Sequence, residues 1–284
     1  MEAGKYSYMA EQTALFRAAH QVLDNDPKIL LDPLALTLLG KDTERRINAQ
    51  RELYKKPHMV KARTFTILRS RYTEDELSAA INRGVRQYVI LGAGLDTSPY
   101  RTGHPSEPID TYEIDHPDTQ RWKLDRLKKA QIPMRKNLRH VAVDFERQSL
   151  IEGLAESDFD FSQPAFFSWL GVNYYLRPAS VRNMFEKMAS SAPSSQVVFD
   201  FVVDDSELDA AGREDVAKIS RYADKQKEPW LSRYSPSKLE DILREAGFND
   251  VFYFSRDLAT ARYLKDRPDG LAIHPAIQMM SAII

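Results

Sequence analysis

The sequence predicts an α/β fold with a mostly parallel sheet, and two observations carry that prediction. From residue 85 onward, short apolar runs typical of buried strands alternate with amphipathic stretches of helical spacing. The first apolar run, 87–91, ends in a Gly-Ala-Gly turn at 92–94. Open parallel sheets bind their ligands at the carboxyl ends of such strands, so this turn is the first candidate for a binding site.

Helical spacing dominates the chain before that strand. Helices are predicted over 10–23 and 32–40, and the last helix of this region is predicted over 73–84. Thr73 is the expected N-cap of that last helix, with Glu76 as its capping-box partner. We expect these helices to pack on the sheet instead of forming a separate domain.

The remainder of the chain is predicted to alternate strands with helices. Strands are predicted over 87–91, 109–114, 138–143, 164–170, 195–202 and 250–255, and helices over 116–130, 178–190 and 235–248. The charged segment 204–233 interrupts this alternation and is a candidate lid. We therefore predict a single domain over 1–284, with a helical cap at 1–84 and the sheet-containing core at 85–284.

Composition restricts the classes of partner. The 40 Lys and Arg nearly balance the 41 Asp and Glu, so no basic surface indicates a nucleic acid. No apolar run has membrane-spanning length and the start lacks signal-peptide features, so we expect no membrane partner and a cytoplasmic location. The absence of cysteine and of ligand spacing among the six histidines predicts no metal site. The oligomeric state stays open.

The turn formed by Gly92, Ala93 and Gly94 is suited to a nucleotide-like ligand. A dinucleotide fingerprint would place a third glycine where Thr97 stands. The second strand is followed by Asp115, whose carboxylate can accept hydrogen bonds from both hydroxyls of a ribose. Nicotinamide dinucleotides and S-adenosylmethionine both carry such a ribose. The missing third glycine favours S-adenosylmethionine, which has no phosphate to bind.

The end of the third strand adds a second acid. Asp144 can accept a hydrogen bond from an adenine amino group, and Phe145 can cover the adenine ring. Both Asp115 and Asp144 could instead be ordinary residues at strand ends, with Asp115 capping the helix that follows. Three consecutive strand ends with complementary chemistry nevertheless indicate a ligand more strongly than the glycines alone.

Four motifs resemble the leucine carboxyl methyltransferase-like family of S-adenosylmethionine-dependent methyltransferases. They are VILGAGLDTSPYR, YEIDHPDTQRWK, VAVDF and SWLGVNYYLRP. The resemblance implies a class I methyltransferase Rossmann-like sheet, mostly parallel with an antiparallel C-terminal strand, with helices on both faces and extra N-terminal helices. It also implies S-adenosyl-L-methionine as the cofactor.

The resemblance further assigns side chains to the cofactor's carboxylate. Arg17 in TALFRAA matches one basic residue, and Arg71, or with less support Arg69, in LRSRYTEDEL matches the second. The family often has a glutamate at the end of the fourth strand, beside the reactive sulfonium. Leu170 stands at that position here, so a glutamate role is not transferred.

Aromatic residues follow the fourth strand, and Tyr174 and Tyr175 are candidates to face a substrate. Because no general base is recognisable, we predict O-methylation of a small molecule at a carboxylate or acidic hydroxyl of a polyketide-like or aromatic compound. The catalytic residues stay unassigned. Two alternatives remain, a non-catalytic module that binds S-adenosylmethionine and a nicotinamide-dependent oxidoreductase.

Overall fold

The computed structural model describes residues 7–101, 109–144, 148–225 and 228–284. Strands are formed by β1 Gln87–Leu91, β2 Asp110–Asp115, β3 Leu138–Ala142, β4 Ala165–Trp169, β5 Gln196–Val202, β6 Asp250–Phe254 and β7 Ile277–Ile283. The helices are α1 Tyr8–Leu23, α2 Pro33–Leu39, α3 Thr43–Ala49, α4 Arg51–Tyr54, α5 Pro57–Asn82, α6 Pro117–Lys129, α7 Leu150–Ala155, α8 Pro178–Ala189, α9 Ala210–Lys225, α10 Pro236–Ala246 and α11 Arg256–Ala259.

The described strands form one sheet in the order β3-β2-β1-β4-β5-β7-β6. The pairs β1–β2, β2–β3, β1–β4 and β4–β5 are parallel, whereas β7 runs antiparallel to both β5 and β6. The order of the strands reverses between β1 and β4. This switch in strand order opens a crevice at the carboxyl ends of β1 and β4, where sheets of this type bind ligands. The predicted fold class is confirmed.

The central strands are buried on both faces. Every residue of β1, β4 and β5 is buried, as expected when helices cover both sides of a parallel sheet. The edge strand β6 alternates between exposed and half-buried positions before its buried last residue. A continuous core therefore holds the strand ends of the crevice in fixed positions.

The N-terminal helices pack through a buried polar cluster. Arg63 of α5 donates two hydrogen bonds to Asp24, at 2.9 and 2.8 Å, and His20 of α1 lies 2.8 Å from the same carboxylate. Burial would raise the pKa of Asp24, but hydrogen bonds from His20 and Arg63 hold it below its ordinary value. The carboxylate is therefore ionised at neutral pH and ties α1 to α5.

The helix predicted over 73–84 is only the last part of a longer one. α5 begins at Pro57, so Thr73 lies inside the helix and is not its N-cap. The backbone turns out of the helix at Gly84, whose φ is +100°. No helix in the described ranges is both long and apolar enough to span a membrane.

Candidate functional site

A cavity of about 690 Å³ lies at the crevice between β1 and β4. The turn after β1 forms its floor and α1 covers it. Residues that follow β4 line one wall, and residues 228–231 close the side beside them. A helix, several strand ends and a loop that is distant in sequence thus line the same cavity.

Gly92 and Gly94 are required by the geometry of the floor. Their φ angles are +69° and +46°, in the region that disfavours side chains. A Cβ on Gly92 would lie 2.3 Å from Val172 Cγ2, and one on Gly94 would lie 3.1 Å from Ala10 Cβ. Both glycines therefore let the backbone pass close to the neighbouring elements.

Asp115 lies at the end of β2 and lines the cavity. Its Oδ2 accepts a hydrogen bond from the Gly94 amide at 2.5 Å, and its Oδ1 accepts one from the His116 amide at 2.7 Å. Burial raises the pKa of Asp115, against the lowering effect of these two amides. The carboxylate is held beside the glycine turn, and each oxygen has a further lone pair for a ligand hydroxyl.

The third strand end reaches the same cavity. Val143 and Asp144 both line it, and Val143 is anchored by a 2.9 Å hydrogen bond from its amide to the Asp115 carbonyl. Phe145, predicted to cover an adenine ring, lies outside the described residues. The acids of two neighbouring strands are therefore brought together, as their order along the chain predicts.

Two buried arginines line the cavity. Arg17 donates through Nε to Asp32 at 2.8 Å and through Nη2 to the Leu95 carbonyl at 2.5 Å. Arg69 lies on the other side, where its Nη1 donates to Asp200 at 2.8 Å. Asp32 and Asp200 thus hold the two cations in place.

Of the two arginines considered for the second carboxylate contact, the structure brings Arg69 and not Arg71 to the cavity. A helix turns about 100° per residue, so residues two positions apart face different directions. Arg71 points to the surface, with its side chain 45% exposed, and pairs with Asp75 at 2.9 Å. It is not among the residues that line the cavity, whereas Arg69 is.

The aromatic residues after β4 lie against the Arg69–Asp200 pair. Tyr174 and Tyr175 both line the cavity, with ring centroids 4.7 Å apart. Burial disfavours the charge of Arg69, but Asp200 and Tyr174 hold its pKa above the ordinary value. Burial likewise raises the pKa of both tyrosines, so their hydroxyls are neutral at physiological pH.

Several lining residues were not anticipated from the sequence. Ser7, Ala10 and Thr13 approach from α1 and its cap, and Glu228 comes from the 204–233 segment. The Glu-Pro-Trp run at 228–230 is a weak signal that could have attracted attention. The sequence indicated a candidate lid over 204–233 but gave no reason to single out Glu228 within it.

The arrangement suits a ligand that carries ribose, an apolar linker and an amino acid. The acids at the ends of β2 and β3 are hydrogen-bond acceptors for hydroxyl and amino groups, and the glycine turn leaves room beside the backbone. Arg17 and Arg69 are the cations available to a ligand carboxylate. Among the described residues no group of acids and histidines is arranged to hold a metal ion.

The fold and this cavity define a Rossmann-like methyltransferase of class I. The model of the leucine carboxyl methyltransferase family matches residues 10–189. The chain belongs to that family and is an S-adenosylmethionine-dependent methyltransferase.

Relatives of similar length extend the match. The chain is 28% identical over 242 residues to the Bacillus subtilis protein named "Putative S-adenosyl-L-methionine-dependent methyltransferase YktD", covering 84% of this chain and 79% of that one. A Mycobacterium avium protein with the same description is 31% identical over 271 residues, covering 92% and 81%.

A solved structure supports the fold. A Thermobifida fusca protein, described as a "putative methyltransferase", superposes with a TM-score of 0.62 at 19% identity, covering 99% of this chain and 96% of that one.

Proposed function

We propose that this methyltransferase transfers a methyl group to an oxygen of a small molecule, a carboxylate or acidic hydroxyl of an aromatic or polyketide-like compound. The observation that carries the proposal is the continuity of the cavity. The glycine turn and strand-end acids open directly onto the wall formed by Tyr174 and Tyr175. An acceptor bound against these rings would lie next to the cofactor.

Six of the lining residues would have a role in binding the cofactor. Asp115 would accept from the ribose hydroxyls, and Asp144 from the adenine amino group. Gly92 and Gly94 would leave room for the methionine part, and Arg17 and Arg69 would hold its carboxylate. S-adenosylmethionine supplies an activated methyl on a sulfonium whose leaving group is neutral, so the chain's task is to bind and orient the acceptor.

The acceptor half favours a flat apolar molecule of limited size. The rings of Tyr174 and Trp230 make a T-shaped contact, with centroids 5.5 Å apart. Leu170, Val172 and Leu176 also line the cavity. Aromatic walls also stabilise a cationic sulfonium through their π faces. A small-molecule acceptor in a cytoplasmic location remains our expectation, and nucleic acid and membrane are not expected partners.

A non-catalytic binding module would have no use for a second compartment beside the cofactor. The extension of the cavity past the glycine turn therefore favours catalysis. Membership of the methyltransferase family sets aside the nicotinamide-dependent oxidoreductase.

The test combines binding with product chemistry. Calorimetry is expected to show saturable binding of S-adenosylhomocysteine and none of NAD or NADP. Incubation with methyl-labelled cofactor and a panel of aromatic and polyketide acids and hydroxyl compounds is expected to label an oxygen. Label released as methanol by mild base identifies an ester, and label that survives identifies an ether. Label found only on nitrogen or carbon would refute oxygen methylation.

A further inference from the structure

Glu228 brings a carboxylate into the acceptor half of the cavity. At the end of β4 this chain has Leu170, which packs against buried residues of the core and brings no carboxylate. Glu228 lines the same cavity from the 204–233 segment, on the side of Tyr174 and Tyr175. The carboxylate beside these two tyrosines therefore comes from the chain that follows α9.

The backbone around Glu228 is fixed at both ends. Its amide donates to the Ala223 carbonyl at 3.0 Å, at the end of α9. The amides of Leu231 and Ser232 both donate to the Tyr174 carbonyl, at 2.6 and 3.2 Å. The segment is therefore attached to the wall on which an acceptor would lie, and the position of Glu228 relative to Tyr174 is set by backbone contacts.

The two oxygens of Glu228 differ in their surroundings. Oε1 accepts a hydrogen bond from the Ser7 hydroxyl at 3.2 Å. Oε2 is buried and has no hydrogen-bond partner within the described part of the chain. A buried carboxylate oxygen without a donor is costly, so it attracts a ligand that brings an O–H or N–H group. It repels a ligand that brings a second carboxylate.

We propose that Glu228 binds the acceptor hydroxyl and takes its proton, which makes the substrate class an aromatic hydroxyl compound and not a carboxylic acid. This inference rests on the proposed oxygen methylation. The acceptor oxygen forms a bond to the methyl carbon while the carbon–sulfur bond breaks and its electron pair goes to sulfur. The hydroxyl proton goes to Glu228 Oε2 and is lost to water after the products leave.

The electrostatics of the residue are consistent with this role. Burial raises the pKa of Glu228, opposed by hydrogen bonds from the Ser7 side chain and the Met9 backbone amide. A raised pKa makes the carboxylate a stronger proton acceptor, closer to the working range of a general base. The Tyr175 hydroxyl does not compete with the acceptor hydroxyl as a proton donor to Glu228, because burial and the charge of Glu228 both raise the pKa of Tyr175.

The experiment uses 2-naphthol and 2-naphthoic acid, which share one ring system and differ in the group offered to Glu228. With S-adenosylhomocysteine bound, calorimetry is expected to show binding of 2-naphthol and at least tenfold weaker binding of 2-naphthoate. With labelled S-adenosylmethionine, 2-naphthol is expected to give a base-stable ether. Preferred binding or methylation of 2-naphthoate would overturn the proposal and leave oxygen methylation intact.

The matched variants are Glu228→Gln and Glu207→Gln, the latter exposed on the same segment and outside the cavity. Glu228→Gln is expected to lower kcat for 2-naphthol about 100-fold, a typical effect of removing a general base. The loss should fall below about tenfold for a nitro-substituted 2-naphthol that is already ionised at the assay pH, because no proton remains to be removed. Glu207→Gln should leave both rates unchanged.

The possible outcomes separate this proposal from the oxygen methylation on which it rests. Equal losses for the two naphthols would show that Glu228 has a structural role only and would overturn the proposal. Failure of both 2-naphthol and 2-naphthoate to bind, with S-adenosylhomocysteine bound, would likewise overturn the aromatic hydroxyl assignment. Failure of S-adenosylhomocysteine itself to bind would instead contradict the cofactor site. Its affinity for the Glu228→Gln protein should equal that for wild type, which checks that the variant is folded.

Discussion

The carboxylate of Asp115 connects two strand ends at the level of single residues. Its oxygens accept hydrogen bonds from the backbone amides of Gly94 and His116, and these bonds fix its orientation before any ligand binds. A carboxylate that is already fixed in position loses little conformational entropy when a ligand binds. The hydrogen bonds from the same two amides partly offset the free-energy cost of burying the Asp115 carboxylate.

Asp115→Asn is expected to weaken S-adenosylhomocysteine binding at least tenfold. The amide side chain keeps one oxygen but loses the charge, and charge-assisted hydrogen bonds contribute about 1.5–3 kcal/mol each. Since about 1.4 kcal/mol corresponds to a factor of ten in Kd, the loss of one such bond suffices. Calorimetry measures the effect, with Asp110→Asn at the exposed start of β2 as the control. An affinity within threefold of wild type for Asp115→Asn would refute the ribose assignment.

The local sequence was sufficient to predict which residues at strand ends lie at the cavity. It was insufficient for residues that reach the cavity from other elements. Gly92 and Asp115 follow recognisable buried strands, so their meeting at the crevice was predictable. The choice between Arg69 and Arg71 depends on the rotation of α5 against the sheet, which no local pattern determines. Glu228 reaches the cavity only because α9 and the chain after it fold back onto the β4 wall.

Helix α6 and strand β2 are joined by a buried ion pair. Lys123 Nζ lies 2.7 Å from Glu113 Oε1, with both side chains 2% exposed. His140 lies 3.4 Å from the other Glu113 oxygen, and burial lowers the pKa of His140 to about 4, so it is neutral at physiological pH.

This pair is expected to make stability depend on pH. Burial raises the pKa of Glu113 from 4.5 to about 7, despite the opposing charge of Lys123. A carboxyl whose pKa is higher in the folded state contributes full stability below its unfolded pKa. That contribution is lost as the pH rises from 4.5 towards 7. The loss of stability is complete near neutral pH, because the charge of Lys123 limits how far the pKa of Glu113 is raised.

Lys123→Met is expected to cost about 3 kcal/mol at about pH 8, because Glu113 then loses its partner charge and must either stay charged while buried or bind a proton. At about pH 5 the cost should be much smaller, because Glu113 is then protonated in the folded protein. Urea unfolding at both pH values measures the difference. The double variant Glu113→Gln with Lys123→Met, which carries neither charge, should recover most of the stability at the higher pH. Equal costs at both pH values would show that the two side chains do not interact.

At the level of elements, the alternation of strands and helices was predictable from apolar runs, but two features were not. Strand β7, which pairs antiparallel with both β5 and β6, lay outside the strands assigned from apolar runs, although the family resemblance implied an antiparallel C-terminal strand. Its apolar run at the end of the chain carries no local sign of direction. Helix α9 was likewise not separated from the charged segment around it. Its Val216 belongs to the same buried core cluster as Leu208 and Phe201.

Across the whole molecule, the cavity depends on parts of the chain that are far apart in sequence. Ser7 donates from its amide to Thr119 of α6 at 3.4 Å and from its hydroxyl to Glu228. Arg17 reaches the Leu95 carbonyl from the middle of α1. Helix α1 therefore closes over the crevice, and a ligand bound there contacts the cap and the sheet together. We propose that the cap and core act as a single domain for this reason.

Saturation with S-adenosylhomocysteine is therefore expected to protect α1 and the turn after β1 as one unit. Ligand at about 100 times its Kd stabilises the folded state by about 2.7 kcal/mol, which slows exchange through unfolding by about 100-fold. Hydrogen exchange should show this slowing for amides of α1, of residues 92–96 and of Leu231 and Ser232. Strand β6 lies at the far edge of the sheet, and any of its amides that exchange by local opening should be unchanged. Protection of residues 92–96 with unchanged exchange throughout α1 would show that the N-terminal helices do not respond to the ligand, and would contradict a single cooperative unit.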